Sequence, residues 1–231
     1  MKTKATYFLF FALLVSNITY CTAQNSSGFH HFWLVQVWPF GYCLEVNCAR
    51  NVTWFVLHGL WPVNAYEQTL PGTNKPDPGI LASLEHDESL WDDLKKYWLS
   101  LSTRDGDRLK YFWPYQWRVH GSAQRRVKPP DYFRRAVELT KFTDLLNTLN
   151  RAGIMENGNI YRKVEFRKAI KAKTGYDPIL SCVFSDGRYQ LKEVTICVDA
   201  DATNFIPCNP NKISRESCRN NIKFPAPSPT K

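Results

Sequence analysis

The chain is organised around the stretch Trp54-Phe55-Val56-Leu57-His58-Gly59-Leu60-Trp61-Pro62-Val63-Asn64. The apolar run from Val52 to Leu57 is typical of a buried strand, and the glycine and proline that follow it predict a turn. The imidazole of His58 therefore lies at the end of the predicted strand, and a tryptophan precedes it and another follows it in the sequence. Two interpretations stay open at this point: a histidine packed in an aromatic core, or a reactive histidine.

A second aromatic stretch contains another histidine followed by a glycine: Phe112-Trp113-Pro114-Tyr115-Gln116-Trp117-Arg118-Val119-His120-Gly121-Ser122-Ala123. Pro114 suits the first turn of a helix and Gly121 suits its C-terminal end, which predicts a helix of about two turns. Gln116 and His120 are four residues apart and therefore share one face of that helix. Two of the five histidines in the chain thus lie in similar settings, which indicates an acid–base pair.

These two stretches resemble the active-site blocks of the secreted ribonuclease T2 family, which includes the plant S-ribonucleases and S-like ribonucleases. The resemblance covers nearly the whole chain after its first residues, through Val35-Gln36-Val37-Trp38-Pro39, Ile196-Cys197-Val198-Asp199 and Ile222-Lys223-Phe224-Pro225. It implies a single domain that is cross-linked by disulfides, with an antiparallel sheet and helices packed against the sheet. The element pattern also predicts an α+β fold, because helices are expected in the middle of the chain and strands at both ends.

RNA carries its own nucleophile, the ribose 2′-hydroxyl, so cleavage needs a base to take that proton and an acid to protonate the departing 5′-oxygen. Histidine suits both roles because its ordinary pKa of about 6.5 lets either form be populated. The resemblance implies that His120 is the base and His58 the acid, that Gln116 completes the catalytic set, and that the product is a cyclic phosphate. Single-stranded RNA is the expected partner, and neither a metal nor a cofactor is required.

The resemblance also implies that three residues contact the bases of the RNA: Gln36, Trp61 and Phe112. Stacking on aromatic rings is a common way to hold single-stranded RNA. Trp61 and Phe112 are equally compatible with packing in the core.

The chain departs from the family at positions that carry chemistry. Gln116 stands where the family usually has a glutamate, and Val119 stands where it has a lysine. By analogy with the loss of one transition-state donor, the second change predicts a rate lowered by about 10²–10³. Residues 65–90 contain no cysteine, and Ala123 stands just after the second block, so a bridge that usually joins the two blocks is absent.

These departures leave two hypotheses. The first is a secreted endoribonuclease with attenuated activity. The second is a weak or inactive relative that binds RNA or protein, or that serves in self-incompatibility, defence or storage.

The beginning of the chain predicts export. Lys2 and Lys4 precede an apolar run, and Cys21-Thr22-Ala23 offers small residues for cleavage, so residues 1–23 are interpreted as a secretory signal peptide and residues 24–231 as the mature domain. We expect a secreted or vacuolar monomer that does not cross a membrane. Asn25 and Asn51 both fit the N-glycosylation pattern.

The six cysteines after residue 23 predict disulfides, since an even number in an exported chain usually pairs. Loop geometry favours a local Cys43–Cys48 bridge, and the resemblance implies Cys197–Cys208 and Cys182–Cys218. A zinc site is the competing interpretation. It is disfavoured because no two cysteines have two-residue spacing and no histidine lies near them.

The chain is strongly basic, with a net charge of +9. A positive field attracts polyanions such as RNA, although it also serves solubility. Six basic residues follow the second block, where we expect a phosphate backbone to pass: Arg118, Arg125, Arg126, Lys128, Arg134 and Arg135.

Periodicity and turn residues predict the remaining elements. The expected strands span residues 29–38, 178–184 and 189–198, with Asp186-Gly187 as a hairpin turn between the last two. The expected helices span residues 80–101, 131–150 and 161–173, and a long loop covers residues 65–79.

Overall fold

The computed structural model describes residues 28–49, 52–102, 109–214 and 216–227, and the structural statements here concern those residues. The expected signal peptide and both glycosylation sequences, at Asn25 and Asn51, lie outside them. Within the described part of the chain, no helix is both long and apolar enough to cross a membrane.

A six-stranded sheet forms the centre of the molecule, with the strand order β2-β1-β5-β6-β3 and with β4 paired to β5. The strands are β1 (Phe29–Val37), β2 (Val56–Asn64), β3 (Ile160–Arg162), β4 (Ile179–Ser185), β5 (Arg188–Val198) and β6 (Asn221–Lys223). All strand pairs are antiparallel except the short contact between β5 and β6. The predicted α+β class with an antiparallel sheet is confirmed.

Helices cover the sheet and enclose two main cores. They are α1 (Pro39–Tyr42), α2 (Gly79–Glu85), α3 (Glu88–Tyr97), α4 (Leu109–Val119), α5 (Asp131–Thr143), α6 (Leu145–Arg151), α7 (Lys163–Thr174) and α8 (Pro210–Ser214). The first core joins α2 to α5 with β1 and β2, and Trp98, Trp113 and Tyr132 are fully buried in it. The second joins α6 and α7 with β4, β5 and β6.

Both long helices that periodicity predicts are interrupted. The helix expected at 80–101 divides at Asp87, whose carboxylate accepts a hydrogen bond from the Leu90 amide and so begins α3. The helix expected at 131–150 divides at Asp144, where a φ of 38° ends α5. Asp131 is the first residue of α5, and the N-cap of α5 is Pro130.

The expected turn after His58 is wrong, because β2 continues through Gly59 and Pro62. It can do so because β2 is an edge strand, where a proline removes no obligatory ladder hydrogen bond. The helix that carries His120 is also longer than expected, since Pro114 lies inside α4 rather than in its first turn.

The hairpin and the cysteine pairs agree with the sequence-based expectations. Asp186 and Gly187 both have positive φ, as a two-residue hairpin turn requires, and they join β4 to β5. The three disulfides are Cys43–Cys48, Cys182–Cys218 and Cys197–Cys208.

Hydrogen bonds hold the long loop against the end of α4, where the usual bridge is missing. The Gly72 amide donates to the Val119 carbonyl at 2.7 Å, and the Thr73 amide donates to Ser122 Oγ at 2.8 Å. The Ser122 hydroxyl in turn donates to the Arg118 carbonyl. The loop approaches so closely that a Cβ at position 72 would lie 2.1 Å from the Arg118 oxygen, so only glycine fits.

Replacing Ser122 with alanine should therefore weaken this tether. We expect the free energy of unfolding of Ser122→Ala to fall by about 1 kcal/mol, because the Thr73 amide loses its acceptor. Urea denaturation measures the change. Ser214→Ala removes an exposed hydroxyl from α8 and is the matched control; equal losses in the two variants would contradict the tether.

Candidate active site

His58 lies in a β-bulge of β2. Val35 of β1 pairs with Gly59 and Gln36 pairs with Leu57, so His58 has no partner in the register. The extra residue explains how two residues three apart, His58 and Trp61, share a face, since regular alternation would place them on opposite faces. Leu57 and Leu60, also three apart, are buried on the other face. The bulge thus turns the imidazole toward solvent while the strand keeps its core contacts.

Two buried indoles connect the bulge to α4. Trp113 of α4 donates from Nε1 to the Trp98 carbonyl at 2.8 Å, and Trp98 donates from Nε1 to the His58 carbonyl at 3.3 Å. Both tryptophans are fully buried. The second aromatic stretch therefore fixes the backbone of the first.

The His58 ring is oriented by a carboxylate that was not among the predicted site residues. His58 Nδ1 lies 2.9 Å from Glu193 Oε1, and Glu193 is largely buried. With Nδ1–H donating to Glu193, the tautomer leaves Nε2 free to face the cleft. The sequence gives only a weak indication of this contact, since Glu193 is the one carboxylate in the otherwise mostly apolar β5.

His120 approaches the same place from the end of α4. The Trp61 ring centroid lies 5.0 Å from that of His58 and 5.6 Å from that of His120, so both imidazoles pack on one indole. The pKa of His120 is lowered to about 4, mainly because the ring is buried and secondly because of the nearby charge of His58. His120 is therefore neutral at ordinary pH.

A cavity of about 630 Å³ extends from His58 between β2 and α4. Gln116 and Phe112 line it from α4, and Val37 lines it from β1. Gln116 is buried, and among the described residues its Oε1 has no hydrogen-bond partner. Several further lining residues could not be predicted from the sequence: Tyr42, Leu99, Ser100, Leu101, Ser102 and Tyr111.

The structure contradicts the base-contact role expected for Gln36. Gln36 is only 1 % exposed, and its amide donates to Thr143 Oγ1 of α5 at 2.9 Å. It faces the helix side of the sheet because successive strand residues point to opposite faces, and its neighbour Val37 lines the cavity instead. Trp61 packs on the histidines and is not part of the cavity wall.

Some of the basic residues after the second block already pair with other groups of the same chain. Arg126 pairs with Asp201, Arg134 pairs with Asp87, and Arg135 donates to the Asp201 carbonyl. Arg118 donates to Asn74, and the exposed Arg125 and Lys128 make no ion pair within the described part of the chain. A phosphate path along this whole cluster thus has less support than the sequence suggested.

Among the described residues, one group has the composition of a metal site. His31, Glu67 and Cys197 have ligand atoms within 4.8 Å of one another. Cys197 is in a disulfide, so it offers no thiolate, and Glu67 already accepts from Trp33 Nε1. These residues form a structural pair of acid and imidazole rather than a complete ligand set.

Comparison with known proteins places this geometry in a family. A sequence model described as the ribonuclease T2 family matches residues 29–208. The chain belongs to the ribonuclease T2 family. It is 34 % identical over 214 residues to intracellular ribonuclease LX of Solanum lycopersicum, covering 87 % of this chain and 86 % of that protein. It is 32 % identical to extracellular ribonuclease LE of the same plant, covering 97 % and 99 % of the two chains.

The fold comparison agrees. The crystal structure of RNase NT in complex with 5′-AMP has a TM-score of 0.70 and 30 % sequence identity, and the match covers 85 % of this chain and 98 % of that one. The predicted family is confirmed, and the protein is a ribonuclease of the T2 type.

Gly59 offers a test of the packing around Trp61. A Cβ at position 59 would lie 2.2 Å from Trp61 Nε1, so Gly59→Ala must displace the indole on which both histidines rest. We expect ribonuclease activity to fall by about 10²-fold, as small displacements in an active site can cause. Gly79→Ala, where a Cβ meets only an ordinary contact, is the control. Full activity in the Gly59 variant would contradict the packing role.

Proposed function

We propose that the protein is an endoribonuclease that cleaves single-stranded RNA by transphosphorylation, without a metal, with His120 as the base and His58 as the acid. The observation that carries this proposal is the packing of both imidazoles on the Trp61 indole, one of them held neutral and the other bound to a carboxylate.

His120 suits the role of base because its lowered pKa keeps it unprotonated. In the proposed step it takes the proton of the ribose 2′-hydroxyl. The 2′-oxygen then forms a bond to phosphorus while the bond from phosphorus to the 5′-oxygen breaks, which leaves a 2′,3′-cyclic phosphate.

His58 suits the role of acid because Glu193 contacts Nδ1 and fixes the ring, so that Nε2 is the nitrogen that can deliver a proton. Its proton goes to the departing 5′-oxygen. Glu193 acts by positioning His58 rather than by touching the substrate.

Gln116 and Phe112 are the proposed contacts to RNA in the cavity. The buried Gln116 amide can rotate to present its NH₂ group to a phosphate oxygen, which a glutamate could not do without a proton. Phe112 supplies a ring on which a base can stack, and the cavity volume suits one base.

The activity is proposed to be attenuated. Val119, three residues from Gln116 at the end of α4, brings neither charge nor hydrogen bond to the site. The alternative, a binding or storage protein without catalysis, is favoured by this same residue. Cleavage assays separate the two.

Export is proposed from the leader pattern of residues 1–23 and from the three disulfides, which suit an oxidising compartment. The tomato relatives include an extracellular and an intracellular ribonuclease. A monomer is proposed because both histidines and Glu193 come from one chain.

Product analysis tests the reaction directly. Purified mature protein is incubated with single-stranded RNA in a metal chelator, beside His58→Ala and His120→Ala variants. We expect cyclic-phosphate ends from the unmutated protein and a rate lowered by about 10²–10⁴ in each variant, as loss of a general acid or base predicts.

His86→Ala, which removes an exposed histidine between α2 and α3, is the matched control and should cleave like the unmutated protein. Equal traces of product in all four proteins would indicate a contaminating nuclease, and the proposal would fail. Loss of activity on addition of the chelator would contradict the metal-free step.

Val119→Lys tests attenuation. A cationic side chain three residues from Gln116 should stabilise the negative charge that develops on the phosphate, so we expect the cleavage rate to rise by at least about tenfold. Val119→Met, which lengthens the side chain without charge, controls for packing. An unchanged rate with lysine would show that position 119 does not limit activity.

A further inference from the structure

A second groove lies at the other end of β5, away from His58. It has a volume of about 430 Å³. Its lining comes from β3, the β4–β5 hairpin, and the segment that leads into β6. Nothing in the reaction proposed above uses this groove.

Two aromatic rings form one wall of the groove. Phe184 is 62 % exposed, which is unusual for a phenylalanine at the end of a strand. Its ring centroid lies 5.0 Å from that of Tyr189, and the Arg219 guanidinium lies 5.9 Å from the centre of the Tyr189 ring. The exposed face of Phe184 is therefore available for stacking, beside a cation that is already held in place.

The groove is positively charged. Arg188, Arg219 and Lys223 line it, and none of the described residues in its lining is acidic. Within the described part of the chain, none of these three cations has a carboxylate within ion-pair distance, in contrast to Arg126 and Arg134, which pair with Asp201 and Asp87. The nearest acid in the hairpin, Asp186, lies in the turn and outside the lining. Three uncompensated positive charges around one groove favour an anionic ligand.

The groove and the catalytic cleft are on different faces of the sheet. Glu193 contacts His58, whereas Leu191 and Tyr189 pack with the second core, on the side of α6 and α7. The reversal is possible because Lys192 is an extra residue in β5 with no partner in the register with β4. A ligand in this groove therefore need not compete with one in the cleft.

We propose that this groove is a second binding site for single-stranded RNA, separate from the active site. Stackable rings combined with cations are what sequence-tolerant single-strand binding requires, since rings hold bases and cations hold phosphates. An acidic peptide would satisfy the cations but would leave Phe184 without a stacking partner. The site would retain a long RNA on the enzyme between successive cleavages.

Binding is measured in the His120→Ala background, so that RNA stays intact whether or not the unmutated protein cleaves it. The probe is a fluorescein-labelled single-stranded oligoribonucleotide of about 20 nucleotides, titrated at several salt concentrations. The proposal rests on the proposed function only for the choice of RNA as the ligand. If the protein does not cleave RNA, binding in the groove can still be measured. If the groove does not bind RNA, cleavage can still be measured.

Two variants test the two components of the groove. Each phosphate contact contributes about 0.7 to the salt slope for single strands, so Arg188→Gln with Arg219→Gln should make the slope shallower by about 1.4. Phe184→Ser should weaken binding by at least about fivefold, the lower end of the effect of one base–aromatic stack. Both changes are at exposed positions, and thermal unfolding verifies that the fold is intact.

The matched control is Arg151→Gln with Lys168→Gln, which removes the same charge from exposed positions on α6 and α7. A smaller slope change in this control than in the groove variant supports the site. Equal changes in both would mean that only net charge matters, and an unaltered affinity in Phe184→Ser would mean that no base stacks there. Displacement of the RNA by polyglutamate of equal charge, as effectively as by unlabelled RNA, would also overturn the proposal.

Discussion

One unpaired residue in an edge strand determines the rest of the site. Because His58 is an extra residue in β2, its ring and that of Trp61 lie on the solvent side while Leu57 and Leu60 stay in the core. In a strand without the bulge, residues 58 and 61 would point to opposite faces, and so would residues 57 and 60. The Trp98 indole holds the bulge from behind by donating a hydrogen bond to the His58 carbonyl.

The two histidines then differ because their surroundings differ. Burial keeps His120 neutral, whereas His58 Nδ1 lies 2.9 Å from a carboxylate of β5, two strands away in the sheet. Pairs of titratable groups whose environments separate their protonation states are the usual basis for distinct acid and base roles. His120 lies at the end of α4, and His58 contacts a carboxylate of the central strand β5. Both rings pack on the Trp61 indole.

Local features of the fold were predictable from the sequence, and features that depend on register were not. Asp186-Gly187 specifies a turn by its own conformational preferences, so the hairpin could be predicted. Gln36 was misassigned because a shift of one residue exchanges the two faces of a strand, and only the pairing with β2 shows which face meets the cavity. Glu193 was missed because it lies 135 residues from His58 in sequence. The break at Asp144, where φ is 38°, could not be predicted because the helical periodicity continues across it.

The two imidazoles that pack on the Trp61 indole interact electrostatically, and an NMR titration of the histidine rings measures this interaction without any assay of activity. In the intact protein the pKa of His120 should be about 4. In His58→Ala it should rise, because a neighbouring positive charge is removed, yet stay below the ordinary 6.5 because the ring remains buried. A pKa near 6.5 for His120 in both proteins would contradict the placement of the two rings in one site.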